Sequence, residues 1–190
     1  MKAVRRYIWI GAAAFGLAFL ALGIFFIVKG LDARDQIKAA LIEEKVTTGA
    51  DAEKFGVPAG MLVTDAKTAQ AQADVIKMHS IAIKGEVLKS GVPATLYYAG
   101  MTADLFVSPE ARTNARNTYL NGLNLRNSLS LAVMGFGVAD LAIGSGVMIL
   151  LLGVFTVAVG VPALYWAGQA ESEVVRQVSR QLIKAPAASR

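Results

Sequence analysis

"GVADLAIGSGVMILLLG", residues 137–153, decides the fold, because Asp140 stands inside an apolar run that extends from about Leu129 to Trp166. Such a run would make a helix about 60 Å long, twice the roughly 30 Å hydrocarbon core of a bilayer. It must therefore protrude or fold back. Folding back takes two spans of about 17 residues or more and a turn. The only turn material, "AIGSG" at 142–146, leaves the first limb too short. Protrusion is the expectation. Tyr165 and Trp166 mark an aromatic belt at one end, and counting back about 21 residues sets the other boundary near Ser145. Asp140 then lies just beyond the hydrocarbon, at the interface rather than the midplane.

Composition agrees with a lipid-embedded chain. Of 190 residues 55% are hydrophobic and 17% charged, with a mean hydropathy of +0.49, too apolar for a soluble domain of this size. A second apolar run, "YIWIGAAAFGLAFLALGIFFIV" from Tyr7 to Val28, carries no charge and is long enough to cross the core. It exceeds the h-region of a secretory signal, so an uncleaved anchor is expected. Lys2, Arg5 and Arg6 before it, and Arg176, Arg180, Lys184 and Arg190 after the other run, place both termini in the cytoplasm by the positive-inside rule. The net charge of +5 is scattered along the chain without a nucleic-acid motif. The bilayer is the expected partner, and nucleic acid is not. With no cysteine, disulfides and thiolate metal sites are excluded.

The fold class expected is therefore mostly α: a two-span antiparallel transmembrane helical hairpin whose long helices extend into a compact, mainly helical extracytoplasmic domain. The segments are residues 1–6 (cytoplasmic), 7–28 (first span), 29–144 (outer domain), 145–166 (second span) and 167–190 (cytoplasmic amphipathic tail). The expected location is the bacterial plasma membrane.

Antiparallel counting with Tyr7 and Trp166 level puts Asp140 near the depth of Arg34, so an interfacial ion pair between them is expected. A proton relay would need further intramembrane ionisable groups, and neither span has one. Small residues on the second run follow a three-and-four spacing: Gly135, Ala139, Ala142, Gly146, Gly153 and Gly160, extended by Ala132, Ala163 and Ala167. This is a seam for close helix approach, since helices in lipid gain by packing backbones rather than by hiding leucines. Gly11, Ala14, Ala18 and Ala21 form a shorter version on the first run. The seams join the two spans of one chain, or the longer seam also joins neighbouring chains.

Outside the bilayer, Ser108, Pro109 and Glu110 read as N-cap, first position and first-turn acid of a long helix. Asn114, Asn117, Asn121 and Asn124 then form a polar stripe at helical spacing, either a register-fixing seam or a solvated face. The first span should continue as helix to about Lys45. "KVTT" and "MLVTD" suit short extended segments, and Asp65 should cap a helix over 66–80 in which Ala69, Ala73, Ile76 and His79 or Ser80 share a face. His79 reads as a packed core histidine ahead of a ligand, and Tyr97 and Tyr98 as core aromatics ahead of a pocket lining. The tail from Glu171 places Val174, Val178 and Leu182 on one face, suited to anionic lipid, a partner helix or a plain helical extension.

The segments "EEKV" (43–46), "TAQAQADVIKMH" (68–79) and "LRNSLSLAVMGFGVADLAIGSGVMILLLG" (125–153) resemble a family of small two-span membrane proteins of actinobacteria and their relatives, whose members often carry the label aromatic ring-opening dioxygenase. The resemblance implies the two-span fold and supplies no catalytic residues. The label conflicts with chemistry: a facial triad takes two histidines and a carboxylate, and His79 is the only histidine. No phosphate loop, G-x-S-x-G elbow or H-E-x-x-H is present. The expectation is a non-catalytic protein without cofactor or metal, a structural or accessory subunit in a homo-oligomer or larger membrane complex. The alternative is an extracytoplasmic module, formed by about residues 46–107, that binds lipid or another small apolar ligand.

Overall fold

The computed structural model describes residues 7–83 and 87–184. The expected cytoplasmic segment 1–6 and the final residues 185–190 lie outside them. The chain is mostly helical, and among the described residues there is no strand, only isolated bridges. Four helices carry it: α1 (Ile8–Glu43), α2 (Ala66–Ile81), α3 (Pro109–Phe155) and α4 (Val161–Lys184), the last two joined by a π turn at Thr156–Gly160. α1 and the continuous helical stretch Pro109–Ala170 are long and apolar enough to cross a membrane.

The helix ends follow from local chemistry. α1 stops where Lys45 enters the left-handed region (φ 50). Val46 N–H then donates to Leu41 O at 3.1 Å and Lys45 N–H to Ile42 O at 2.9 Å, the paired bonds of a Schellman stop. Asp65 caps α2 through a capping box: its carboxylate accepts from Thr68 N–H at 2.8 Å while the Thr68 hydroxyl accepts from Asp65 N–H. Ser108 Oγ accepts from Ala111 N–H at 3.1 Å at the start of α3. The π turn precedes Pro162, whose ring excludes the carbonyl four residues back. Widening the ladder over Thr156–Gly160 accommodates that loss.

The chain divides into two compact units, one of residues 7–30 and 141–184 and one of residues 31–140. In the first, the buried residues of α1 are glycines, Gly16 and Gly23 with Gly30 at the unit's edge. A Cβ on Gly23 would lie 2.7 Å from Leu150 N and 2.8 Å from Gly146 O; one on Gly153 would lie 2.8 Å from Leu20 N and 3.0 Å from Gly16 O. Backbone therefore meets backbone at two levels one heptad apart, and partner numbers fall as α1 numbers rise, so the segments run antiparallel. Trp9 and Tyr165 close one end edge-to-face at 5.9 Å. The outward positions are large and apolar, among them Phe15, Phe25, Leu152 and Phe155.

The second unit has conventional cores. Val63, Ala69, Ala73 and Leu129 pack with Leu41, Val46, Ile76 and Val133. Ala52, Val57, Ala71 and Val75 form a neighbouring cluster, and Ile83, Leu88, Met101 and Phe106 form a third. The expected extended segments meet in one antiparallel bridge, Thr47 with Leu62, flanked by Thr48 N–H to Met61 O at 2.8 Å and Val63 N–H to Val46 O at 2.9 Å. α2 lies so close to α3 that a Cβ on Gly122 would overlap the Ser80 hydroxyl, which turns inward to donate to Ile76 O at 2.6 Å.

Candidate functional site

The second unit holds a groove of ≈ 380 Å³ between the end of α2 and the first turns of α3, within the usual range for small-molecule sites. Ile83, Val87, Ala111 and Ala115 supply an apolar floor, and His79, Asn114 and Thr118 supply polar groups. α2 positions His79 because Ser80, one residue on, takes the buried seat against Gly122. His79 is therefore not a packed core histidine: its side chain is 60% exposed, with Nε2 2.7 Å from Asp51 Oδ2. The 100° step between neighbouring helix positions sends one of the two inward and the other out, and the smaller residue fits the close approach. Lys54 Nζ lies 2.6 Å from the other Asp51 oxygen. These two partners, Lys54 foremost, hold the Asp51 carboxyl below its ordinary range.

The tyrosines separate in the same way. Tyr97 is 57% exposed, so core packing fails for it. It borders a shallow cleft with Lys77, Tyr119 and Arg126. Tyr98 stacks near Tyr119 (5.9 Å) under the Arg116 guanidinium, 4.1 Å from the ring centroid, a cation–π contact. Arg116 Nε is buried without a hydrogen-bond partner; the ring face is its neighbour. At the start of α3, Glu110 is lowered by its own backbone N–H and by Ser108, and Asp104 by the Thr102 hydroxyl and its own backbone N–H.

The remaining positions singled out in the sequence are placed as follows. Arg34 Nη1 donates to Asp140 Oδ1 at 3.0 Å, with both side chains about half exposed. Ala139, Gly146 and Gly153 are buried, while Gly135, Ala142 and Gly160 are half-buried. A Cβ on Gly135 would lie 2.7 Å from Ile37 Cδ1, whereas one on Gly160 would meet only Thr156 Cγ2, at 3.9 Å. Asn114, Asn117, Asn121 and Asn124 are all exposed; α3 directs them away from the cores, so within one chain they form a solvated face. On α1 the seam runs through Gly16 and Gly23, while Gly11, Ala14, Ala18 and Ala21 are exposed. The missed signal was glycine at seven-residue spacing, Gly16, Gly23 and Gly30, matching Gly146, Gly153 and Gly160. Both sets keep the 3.5-residue period of supercoiled helices.

Among the described residues no three His, Asp or Glu side chains gather as a metal site would require. No family model, curated protein or solved structure matches the chain.

Proposed function

We propose that this chain is a non-catalytic integral membrane protein that serves as a structural or accessory subunit. In this reading it is a two-span hairpin in a bacterial plasma membrane, with both termini cytoplasmic and residues 29–144 forming an outer, mainly helical domain. The supporting observation is the glycine-lined backbone contact at Gly16–Gly153 and Gly23–Gly146 beneath outward-facing Phe, Leu and Ile side chains. Water would favour the reverse arrangement, whereas lipid tails solvate large apolar groups and leave close backbone packing to hold helices together. That contact uses Gly16, Gly23, Gly146 and Gly153 within the chain, and Gly11, Ala14, Ala18 and Ala21 stay exposed, open to a partner helix. Arg34 and Asp140 would sit at the outer interface, where a paired charge is tolerated.

Topology is tested by single cysteines in this cysteine-free chain. A membrane-impermeant maleimide should label Ala59→Cys only from outside and Ala170→Cys only from inside; the opposite pattern sinks the orientation. Role is tested by mild-detergent extraction from native membranes with native mass determination. A stable assembly of this chain with itself or with other proteins is the expected result, and a lone chain without companions contradicts the accessory reading. The ≈ 380 Å³ groove favours one second reading, an outer module binding a small apolar ligand. It expects a lone chain carrying a stoichiometric lipid-like molecule that leaves when Ala115→Trp fills the floor.

A further inference from the structure

α3 carries two heptad patterns on opposite faces within the second unit. Along one, Ala115, Tyr119, Gly122, Leu129, Val133 and Phe136 are covered or partly covered by the chain itself. Along the other, Asn117, Asn124, Leu131 and Val138 recur every seventh residue, and Leu120, Asn127 and Met134 fill the intermediate positions. Every residue of this second row is exposed, with Leu131 at 68% and Met134 and Val138 at 66%. The row is about 32 Å long. Arg126 is the only charged residue between Asn117 and Ala139, and it borders the cleft next to Tyr119 on the covered side. A solvated helix face normally carries charge at this density of exposure; this one carries leucine, methionine, valine and asparagine.

We propose that this row is a homodimer seam, in which α3 pairs in parallel with α3 of a second copy. The proposal rests on the orientation given above, which places 117–138 outside the hydrocarbon, where lipid cannot cover the row. Three features identify the occupant as a second copy. The alternating three-and-four spacing over three heptads suits a left-handed supercoil with another helix. Asparagine amides at the repeat positions are donor and acceptor at once, so identical residues facing each other across a two-fold satisfy one another; a few polar positions in an apolar seam fix register and strand number. Copies anchored in one membrane also share orientation, which makes the parallel two-fold pairing available without rearrangement.

Single cysteines in the full chain, oxidised in native vesicles, test the seam. Asn124→Cys and Leu131→Cys should yield disulfide-linked dimers; Thr118→Cys and Leu125→Cys, exposed but turned well off the row, should stay monomeric. Adding Leu131→Lys to Asn124→Cys should abolish the cross-link while helical circular dichroism is retained. The proposal is overturned if Asn124→Cys and Leu131→Cys remain monomeric, if all four positions cross-link alike, or if they cross-link to a different protein. Labelling Leu125→Cys with an impermeant maleimide separates the two possible failures. Outside labelling without cross-linking defeats the seam alone, and absence of outside labelling defeats the orientation.

Discussion

The two units bury opposite kinds of residue. Where α1 lies in the first unit, glycine is inside and phenylalanine, leucine and isoleucine are outside. In the second unit Val63, Met101 and Phe136 are nearly inaccessible, and charges such as Glu53 and Lys67 face out. In the reading proposed above, the difference is one of solvent. Against water, apolar burial stabilises by about 25 cal/mol per Å², so the second unit hides its large side chains. Against lipid that term vanishes and contact distance takes over. The same sequence rule, apolar residues inward, therefore holds for one half of the chain and inverts for the other.

Truncating large side chains should show this contrast most strongly. Met101→Ala, in the third cluster of the second unit, should cost roughly 2–5 kcal/mol, whereas Leu152→Ala, outward-facing in the first unit, should change stability by no more than about 0.5 kcal/mol. Thermal unfolding in a mild detergent, read by helicity, compares the two; equal losses would mean that the first unit is also stabilised by excluding water. Adding one methyl group should separate the covered face of the first unit from its open face. Gly23→Ala would press Cβ against Leu150 N and Gly146 O, for a loss of roughly 1–3 kcal/mol. Gly144→Ala, with nothing within 4 Å, should be silent in the same assay.

Charges should matter least. Asp140→Asn removes an ion pair whose side chains are 46% and 54% exposed, so the loss should stay below about 1 kcal/mol. A double-mutant cycle with Arg34→Gln isolates the pair; a coupling of several kcal/mol would show a drier pair than this exposure allows. For Asp51 the sign is fixed by its lowered carboxyl, held down first by Lys54 and then by His79. Its stabilisation is present above its ordinary value of 3.8 and is lost as pH falls through the lower folded value. Asp51→Asn should flatten that part of the acid limb of a stability–pH profile and leave the parts due to Asp104 and Glu110, which are lowered in the same direction. An unchanged acid limb would show that the Lys54–Asp51–His79 contact is not kept in solution.

Much of the fold could be read locally. The start of α3 at Pro109, the Asp65 cap and the two long apolar helices depend on neighbours within a few residues in the chain, and such signals survive in any fold. Three features could not be read that way. The burial of Ser80 rather than His79 depends on how near α2 comes to Gly122. The choice of Gly16 and Gly23 over Ala14 and Ala18 depends on which face of α1 turns toward Gly146 and Gly153. The π turn at Thr156–Gly160 could have been suspected from Pro162, but a proline can also kink or end a helix, and only the widened ladder distinguishes these outcomes.

Helix positions, caps and apolarity were thus legible in the residues alone, because backbone hydrogen bonding and hydropathy are set by short windows of residues. The tertiary structure decided the partners: Asp51 for His79, Arg34 for Asp140, Gly146 for Gly23, and an uncovered face on α3. These are matters of rotation and distance between segments far apart in the chain, and a helix is the same helix whichever side it turns to its neighbour.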